Sequence, residues 1–242
     1  MSIDPVRNAA AVVSCALSLW CVSASAEGSE WQDEFGASKC SLKTSGRSEY
    51  FVLEPGYQML LEGPATRLKV TVLDETKTVD GVATRVVEER EWKKGELYEV
   101  ARDYYAFCEE TKDVLYFGED VDYYERGKVV RHDGSWLAEK GNRPGLLIAG
   151  TPRLHMKYYK EIAPGVALDR DEVVSLDDTC LTPAGAFAHC MKVRETSILD
   201  PSLRELKWYA PGIGLVVDDT VRLVRSGKST SGETPEAQAR TE

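Results

Sequence analysis

The amino-acid sequence predicts a mainly β protein, a long-stranded antiparallel meander that forms a strongly curved sheet or half-barrel. Three observations carry that expectation. Residues 67–136 fall into consecutive extended runs at 67–79, 82–92, 96–108, 114–125 and 128–136. The breaks are Asp80-Gly81, Lys93-Lys94-Gly95, Thr111-Lys112-Asp113 and Arg126-Gly127. Gly or Asp beside a polar partner, between alternating β-branched and aromatic residues, is a hairpin signature. Within the runs the period is close to two, as in Leu68, Val70 and Val72, and again in Tyr98, Val100 and Arg102, which separates one strand face from the other. The runs also exceed the roughly five or six residues of an ordinary strand. Long antiparallel neighbours twist and coil, so a curved or closing sheet follows.

Taken in order, residues 1–26 have the layout of a signal peptide. Arg7 gives a positive start, residues 9–22 are uncharged and apolar, and Ala24-Ser25-Ala26 supplies the small-x-small cleavage pattern. The apolar run is shorter than the roughly 20 residues of a membrane span. The mature chain is therefore expected to be periplasmic or secreted, with no membrane span. Residues 27–48 read as a loose polar segment tied down by Cys40, and residues 49–225 as a single β domain. Inside that domain residues 137–164 interrupt the strands with Gly141-Asn142-Arg143-Pro144-Gly145 and Gly150-Thr151-Pro152. So long a connection could cover the open end of a curved sheet. Strands resume at 158–162, 167–176, 179–182, 187–197, 204–209, 214–217 and 220–224, and residues 226–242 read as a disordered tail.

Charge and cysteine content narrow the partners. The formal net charge of -10 argues against nucleic acid and against anionic membrane surfaces. Cys40, Cys108, Cys180 and Cys190 follow the leader, and an even set in an exported chain favours disulfides over metal ligation. No Cys-x-x-Cys occurs, so a thioredoxin-like site and a zinc ribbon lose their usual support. Cys180 and Cys190 are symmetric about Gly185. A hairpin turning there would set them opposite one another, close enough to bridge. The expected disulfides are Cys180–Cys190 and, by elimination, Cys40–Cys108.

Several short motifs mark a resemblance. Tyr116-Phe117-Gly118-Glu119-Asp120, Gly134-Ser135-Trp136 and Pro144-Gly145 occur in that order. They are followed by Thr182-Pro183-Ala184-Gly185-Ala186-Phe187 and by Tyr209-Ala210-Pro211-Gly212-Ile213-Gly214-Leu215-Val216. Over roughly residues 50–224 the chain resembles a mostly uncharacterised family of exported bacterial proteins, β-rich envelope domains of half-barrel type. The motifs are structural, and the resemblance implies a fold and a compartment but no activity. Before Val114 this chain carries Cys108-Glu109-Glu110-Thr111-Lys112-Asp113, where relatives tend to be rich in Asp, Gly and Asn.

The densest acidic cluster is Glu119, Asp120 and Asp122. Asp120 and Asp122 share a strand face, and grouped carboxylates can hold Ca²⁺, although EF-hand spacing is absent. A solvated strand face explains the same residues. His132, His155 and His189 form no zinc-hydrolase spacing, and there is no Gly-x-Ser-x-Gly elbow. No organic cofactor is indicated. Aromatic residues crowd the meander, and core packing accounts for most of them. The remainder could line a concavity, with Tyr104, Tyr116 and Trp136 as candidate ligand-binding residues.

The function expected from these features is an exported, non-catalytic binding or carrier module of the bacterial envelope. Its ligand would be an apolar or amphipathic small molecule, or a partner's extended segment. One alternative is a carboxylate-dependent hydrolase working near Glu119, Asp120 and Asp122. Another is an envelope assembly or structural factor, or a Ca-binding protein. The carrier requires a hollow, mostly apolar face. The hydrolase requires a cleft where titratable groups converge with opposed pKa shifts. The assembly factor requires an unprotected sheet edge.

Overall fold

The computed structural model describes Met1 and residues 30–229, so the expected signal peptide beyond Met1 and the chain after 229 lie outside the description. A short 3-10 turn, Ala37–Lys39, leads into β1 (Leu42–Lys43), β2 (Gly46–Ser48) and β3 (Phe51–Leu53). The meander follows as β4 (Tyr57–Glu62), β5 (Thr66–Val79), β6 (Val82–Lys93), β7 (Glu96–Cys108) and β8 (Val114–Glu125). Short strands β9 (Lys128–Arg131), β10 (Trp136–Leu137), β11 (Gly145–Ile148) and β12 (Lys157–Tyr159) come next. The chain finishes with β13 (Asp169–Thr182), β14 (Gly185–Ser197), β15 (Arg204–Ala210), β16 (Gly214–Asp218) and β17 (Val221–Lys228). Residues 226–228, assigned to the tail by composition, thus continue the last strand.

The hairpins turn where the glycines stand. Asp80 and Gly81, Lys94 and Gly95, and Arg126 and Gly127 all have positive φ. Each pair links strand ends in direct register, Val79 to Val82, Lys93 to Glu96 and Glu125 to Lys128, the geometry that matches the right-handed twist of long strands.

All but two of the strands form one 15-stranded sheet whose main path runs β10-β8-β7-β6-β5-β4-β17-β16-β15-β14-β13-β12. The last strand, β17, pairs with β4 and so joins the meander to the C-terminal hairpins. Pairing shifts by a residue or more between Val72 and Thr76, between Asp103 and Tyr105, and at several points from Val173 to Cys180. Such bulges bend a strand and tighten its twist. The sheet is strongly curved and antiparallel, and it does not close into a barrel.

Short segments are added at both ends of the sheet. On one side β9, β10 and β11 each pair with part of β8. On the other, the N-terminal segment adds a single parallel bridge to β12, with Gln32 N–H donating to the Lys157 carbonyl at 3.0 Å and Tyr159 N–H to the Gln32 carbonyl at 2.9 Å. The unprotected edge that an assembly factor requires is therefore not offered at β12.

Two motif glycines have steric reasons. At Gly118 φ is 128°, and a Cβ would strike the Trp136 carbonyl, so only glycine lets β10 cross β8 this closely. At Gly145 a Cβ would strike the carbonyl of Lys160, so this glycine seats the segment carrying Lys160 and Glu161 against β11.

The cysteines pair only in part as expected. Cys40 and Cys108 are bonded, with Cα atoms 5.2 Å apart. Cys180 and Cys190 are buried free thiols, which corrects the expected Cys180–Cys190 bridge. The hairpin turns at Pro183-Ala184 rather than at Gly185, so in register Cys180 lies opposite Phe187 and Cys190 opposite Asp178, while the two thiols stay within hydrogen-bonding reach of each other.

Two outcomes are expected. Without reductant, unfolded protein should be alkylated at Cys180 and Cys190 but not at Cys40 or Cys108, as read by peptide mapping. In urea titrations Gly118→Ala should cost about 2–4 kcal/mol, the scale of backbone strain added to a clash.

Candidate functional site

Cross-strand registers place ionisable residues on the inner face of the sheet. In the meander one row runs Val72, Val87, Asp103, Glu119 and Trp136. The neighbouring row runs Val70, Glu89, Ala101 and Val121, and the next Leu68, Glu91, Glu99 and Tyr123. In the C-terminal half one row runs Tyr158, Asp171, Glu195 and Glu205, and the next Val173, Val193, Lys207 and Asp218. Curvature brings the two sets face to face. Glu89 interacts electrostatically with Lys207 and Asp218, and Glu119 with Glu161 and Lys160.

Between the halves lies a cleft of about 410 Å³. Thr66, Leu68 and Val221 form part of its wall, and Glu89, Glu99, Glu205 and Asp218 give it an acidic lining opposed at the rim by Lys93. Behind the cleft runs a chain of ion pairs. Lys207 lies 3.9 Å from both Glu205 and Asp218 and 3.0 Å from Glu195. Glu195 also receives Lys160 at 2.6 Å. Near this chain Asp171 is 1 % exposed, and neither of its carboxylate oxygens has a hydrogen-bond partner. The Tyr158 hydroxyl, its cross-strand neighbour, is also unpartnered.

The burial of so many charges sets their proton affinities apart. Desolvation lifts Glu89 to about 7, against the pull of Lys207. Glu161 rises to about 8 and Asp171 to about 7, each mainly through burial. Asp103 and Glu119 are pushed well above the carboxylate range by burial and by neighbouring carboxylates. Glu195 goes the other way. Burial would raise it, but Lys160 and Lys207 outweigh that and hold it at about 2. Both lysines are held firmly charged in spite of their burial.

The candidate residues named from sequence scatter. Tyr116 and Trp136 do meet, with rings 5.5 Å apart, inside an aromatic stack continued by Tyr105 and Phe51. Both are buried, and the Tyr116 hydroxyl donates to Asp103 at 2.8 Å. Tyr104 points to the opposite face, where its hydroxyl donates to Asp120 and Lys77 stands 4.2 Å above its ring. The three rings therefore share no concavity. Glu119 faces inward, whereas Asp120 pairs with Lys77 at 3.0 Å and Asp122 with His132 at 2.7 Å on the outer face. They do not converge as cation ligands. Glu89, Asp103, Lys160, Glu161, Asp171, Glu195 and Lys207 were not singled out, because alternate charges along a strand read as a solvated face until register and curvature are known.

Comparison with known proteins adds little. No family model matches the chain, and no curated protein matches it. One solved structure, a "putative lipoprotein" from Parabacteroides distasonis ATCC 8503, is similar with 12% identity and a TM-score of 0.35, covering 75% of this chain and 100% of its own. A likeness at that level carries no argument about this protein. Among the described residues no helix is long and apolar enough to cross a membrane.

The charge arrangement predicts how stability follows pH. Glu89, Asp171 and Glu161 hold protons more tightly folded than unfolded, so stability falls as pH rises from the ordinary value of 4.5 for glutamate to about 8. Glu195 contributes stability above that ordinary value and loses it as pH falls toward about 2. The melting temperature should therefore peak near about pH 5 and decline toward about pH 8. Glu161→Gln should raise it on the alkaline side and flatten the decline. Lys160→Met should instead cost about 3–5 kcal/mol, since Glu195 loses its closer partner. Thermal scans across this range check both signs.

Proposed function

We propose that this protein is an exported, non-catalytic binding module that carries a small molecule in the cleft between the two halves of its curved sheet. The observation that supports this most is the cleft itself, about 410 Å³ and lined from both halves by Glu89, Glu99, Glu205 and Asp218. Pockets of a few hundred Å³ at the junction of two structural units are where small ligands bind. The lining revises the expected ligand. An amphipathic molecule fits if its polar end faces these carboxylates, whereas a purely apolar one would leave them desolvated without partners.

The periplasmic or secreted location rests on the leader-like residues 1–26 and on the Cys40–Cys108 disulfide, a bond favoured outside the reducing cytosol. Carboxyl groups with opposed proton affinities do converge here, as a hydrolase would need. Glu89 reaches the cleft, but Glu161, Asp171 and Glu195 are sealed inside the fold at 7, 1 and 5 % exposure, and the ionised one, Glu195, is occupied by two lysines. Binding is the reading this arrangement favours.

Native mass spectrometry of protein taken from its exported compartment without refolding should show a reproducible extra mass. Thr66→Trp, at the cleft wall, should abolish that mass while leaving the melting temperature within a few degrees. A bare chain, or a ligand retained by the filled cleft, contradicts the proposal.

A further inference from the structure

The cleft and the buried charges behind it are continuous. Asp218 and Glu205 line the cleft and pair with Lys207, Lys207 pairs with Glu195, and Glu195 pairs with Lys160. Around that chain the charges are unequal, since Glu89, Asp103, Glu119, Glu161, Asp171 and Glu195 are set against Lys160 and Lys207. An uncompensated buried carboxylate is costly, and it is relieved either by a proton or by a cation. Asp171 is a second, independent sign of the imbalance. It is almost fully buried, lies beside Lys160, Lys207 and Glu195, and has no hydrogen-bond donor on either oxygen.

We propose that an organic ammonium group enters the cleft in exchange for protons held on this carboxyl chain, so that capture of the ligand is tied to pH. The inference rests on the cleft being the binding site and adds the ligand's chemical class and its regulation. The exchange breaks no covalent bond other than O–H. At the cleft wall the Glu89 carboxylic acid releases its proton to water as the ammonium settles against the carboxylate, and the sealed carboxyl groups behind it respond through the field of the cleft.

The charged groups facing each partner set the direction. Glu89 on β6 looks across to Lys207 on β15, Asp218 on β16 and Lys160 after β12, with Glu99 beside it on β7. Asp171 on β13 is surrounded by Glu195 on β14, by both lysines and by Asp169. Glu161 meets those same lysines with Asp169 and Glu195, and Glu119 and Asp103 approach from the meander side. Acid groups outnumber bases in each set. Burial brings the titration of Glu89 and Asp171 to about 7 and of Glu161 to about 8, so ammonium binding should strengthen as pH rises through that range and weaken below it.

Isothermal titration of the mature protein with putrescine, in phosphate and in Tris buffer from about pH 5.5 to 8.5, reads both affinity and proton release. Binding should tighten by roughly tenfold per pH unit on the acid side for each proton exchanged. The apparent enthalpy should differ between buffers by an amount showing net proton release. Asp171→Asn, outside the cleft, mimics the protonated acid, so it should leave affinity at the acid end within about twofold, weaken it at the alkaline end and reduce the proton release. Glu161→Gln serves the same purpose if that variant fails to fold. No putrescine binding at any pH, or binding with a flat pH profile and no buffer dependence, overturns the inference. So does proton release unchanged in both variants. If the protein's own extra mass is a neutral or anionic molecule lost in Thr66→Trp, the binding reading stands and the ammonium exchange falls. If putrescine binds Thr66→Trp as well as the parent protein, the cleft reading falls.

Discussion

Glu195 between Lys160 and Lys207, at 2.6 and 3.0 Å, is the contact on which the interior depends. The three residues come from β14, from the segment after β12 and from β15, so the arrangement exists only once the C-terminal hairpins are paired. A carboxylate shared by two buried lysines keeps its charge, and it keeps the lysines charged in turn. That allows carboxyl groups of the meander, Glu89, Asp103 and Glu119, to stand opposite without meeting only like charge. Buried ion pairs seldom add net stability over an apolar core. Their presence in a curved sheet that also has a well-packed apolar cluster points to a role beyond stability.

The aromatic stack and the buried charges adjoin in the interior, where Asp103 and Glu119 share one cross-strand row with Trp136. Tyr105, Tyr116 and Trp136 fill one region with aromatic edge contacts, and the Tyr116 hydroxyl is the link to the charged region through Asp103. The cleft opens on the charged side. The aromatic stack is therefore core, and the candidate site lies where Glu89, Glu99, Glu205 and Asp218 reach the cleft. The sealed carboxyl groups behind it suit a binding protein better than a hydrolase: they alter the electrostatic field of the cleft without being within reach of a substrate.

Much of the fold was legible because strands and turns are local. Leu68, Val70 and Val72 alternate within one segment, and Asp80-Gly81, Lys94-Gly95 and Arg126-Gly127 adopt the positive φ that their residue types allow. The hairpin at Pro183-Ala184 was misplaced at Gly185, because glycine marks a turn without saying which side of it the turn lies on. The site was not legible. Glu89, Glu91, Glu99 and Asp103 show the spacing of a solvated face, and only the pairing of Val70 with Glu89 and of Val87 with Asp103 puts them on the inner one. Lys160 and Glu161 fall in the expected strand at 158–162, but β12 ends at Tyr159, and their placement depends on Gly145, which lets their backbone approach β11. Such tertiary register has no counterpart in local periodicity.

The central claim is that the folded interior holds protons that the unfolded chain would release. Potentiometric difference titration of folded against denatured protein tests it directly. Near about pH 6 the folded state should bind several more protons than the unfolded state, the excess shrinking toward about pH 8 as Glu89, Asp171 and Glu161 ionise. Coincident titration curves between about pH 5 and 8 would mean that these carboxyl groups are ionised and solvated, and would contradict the account.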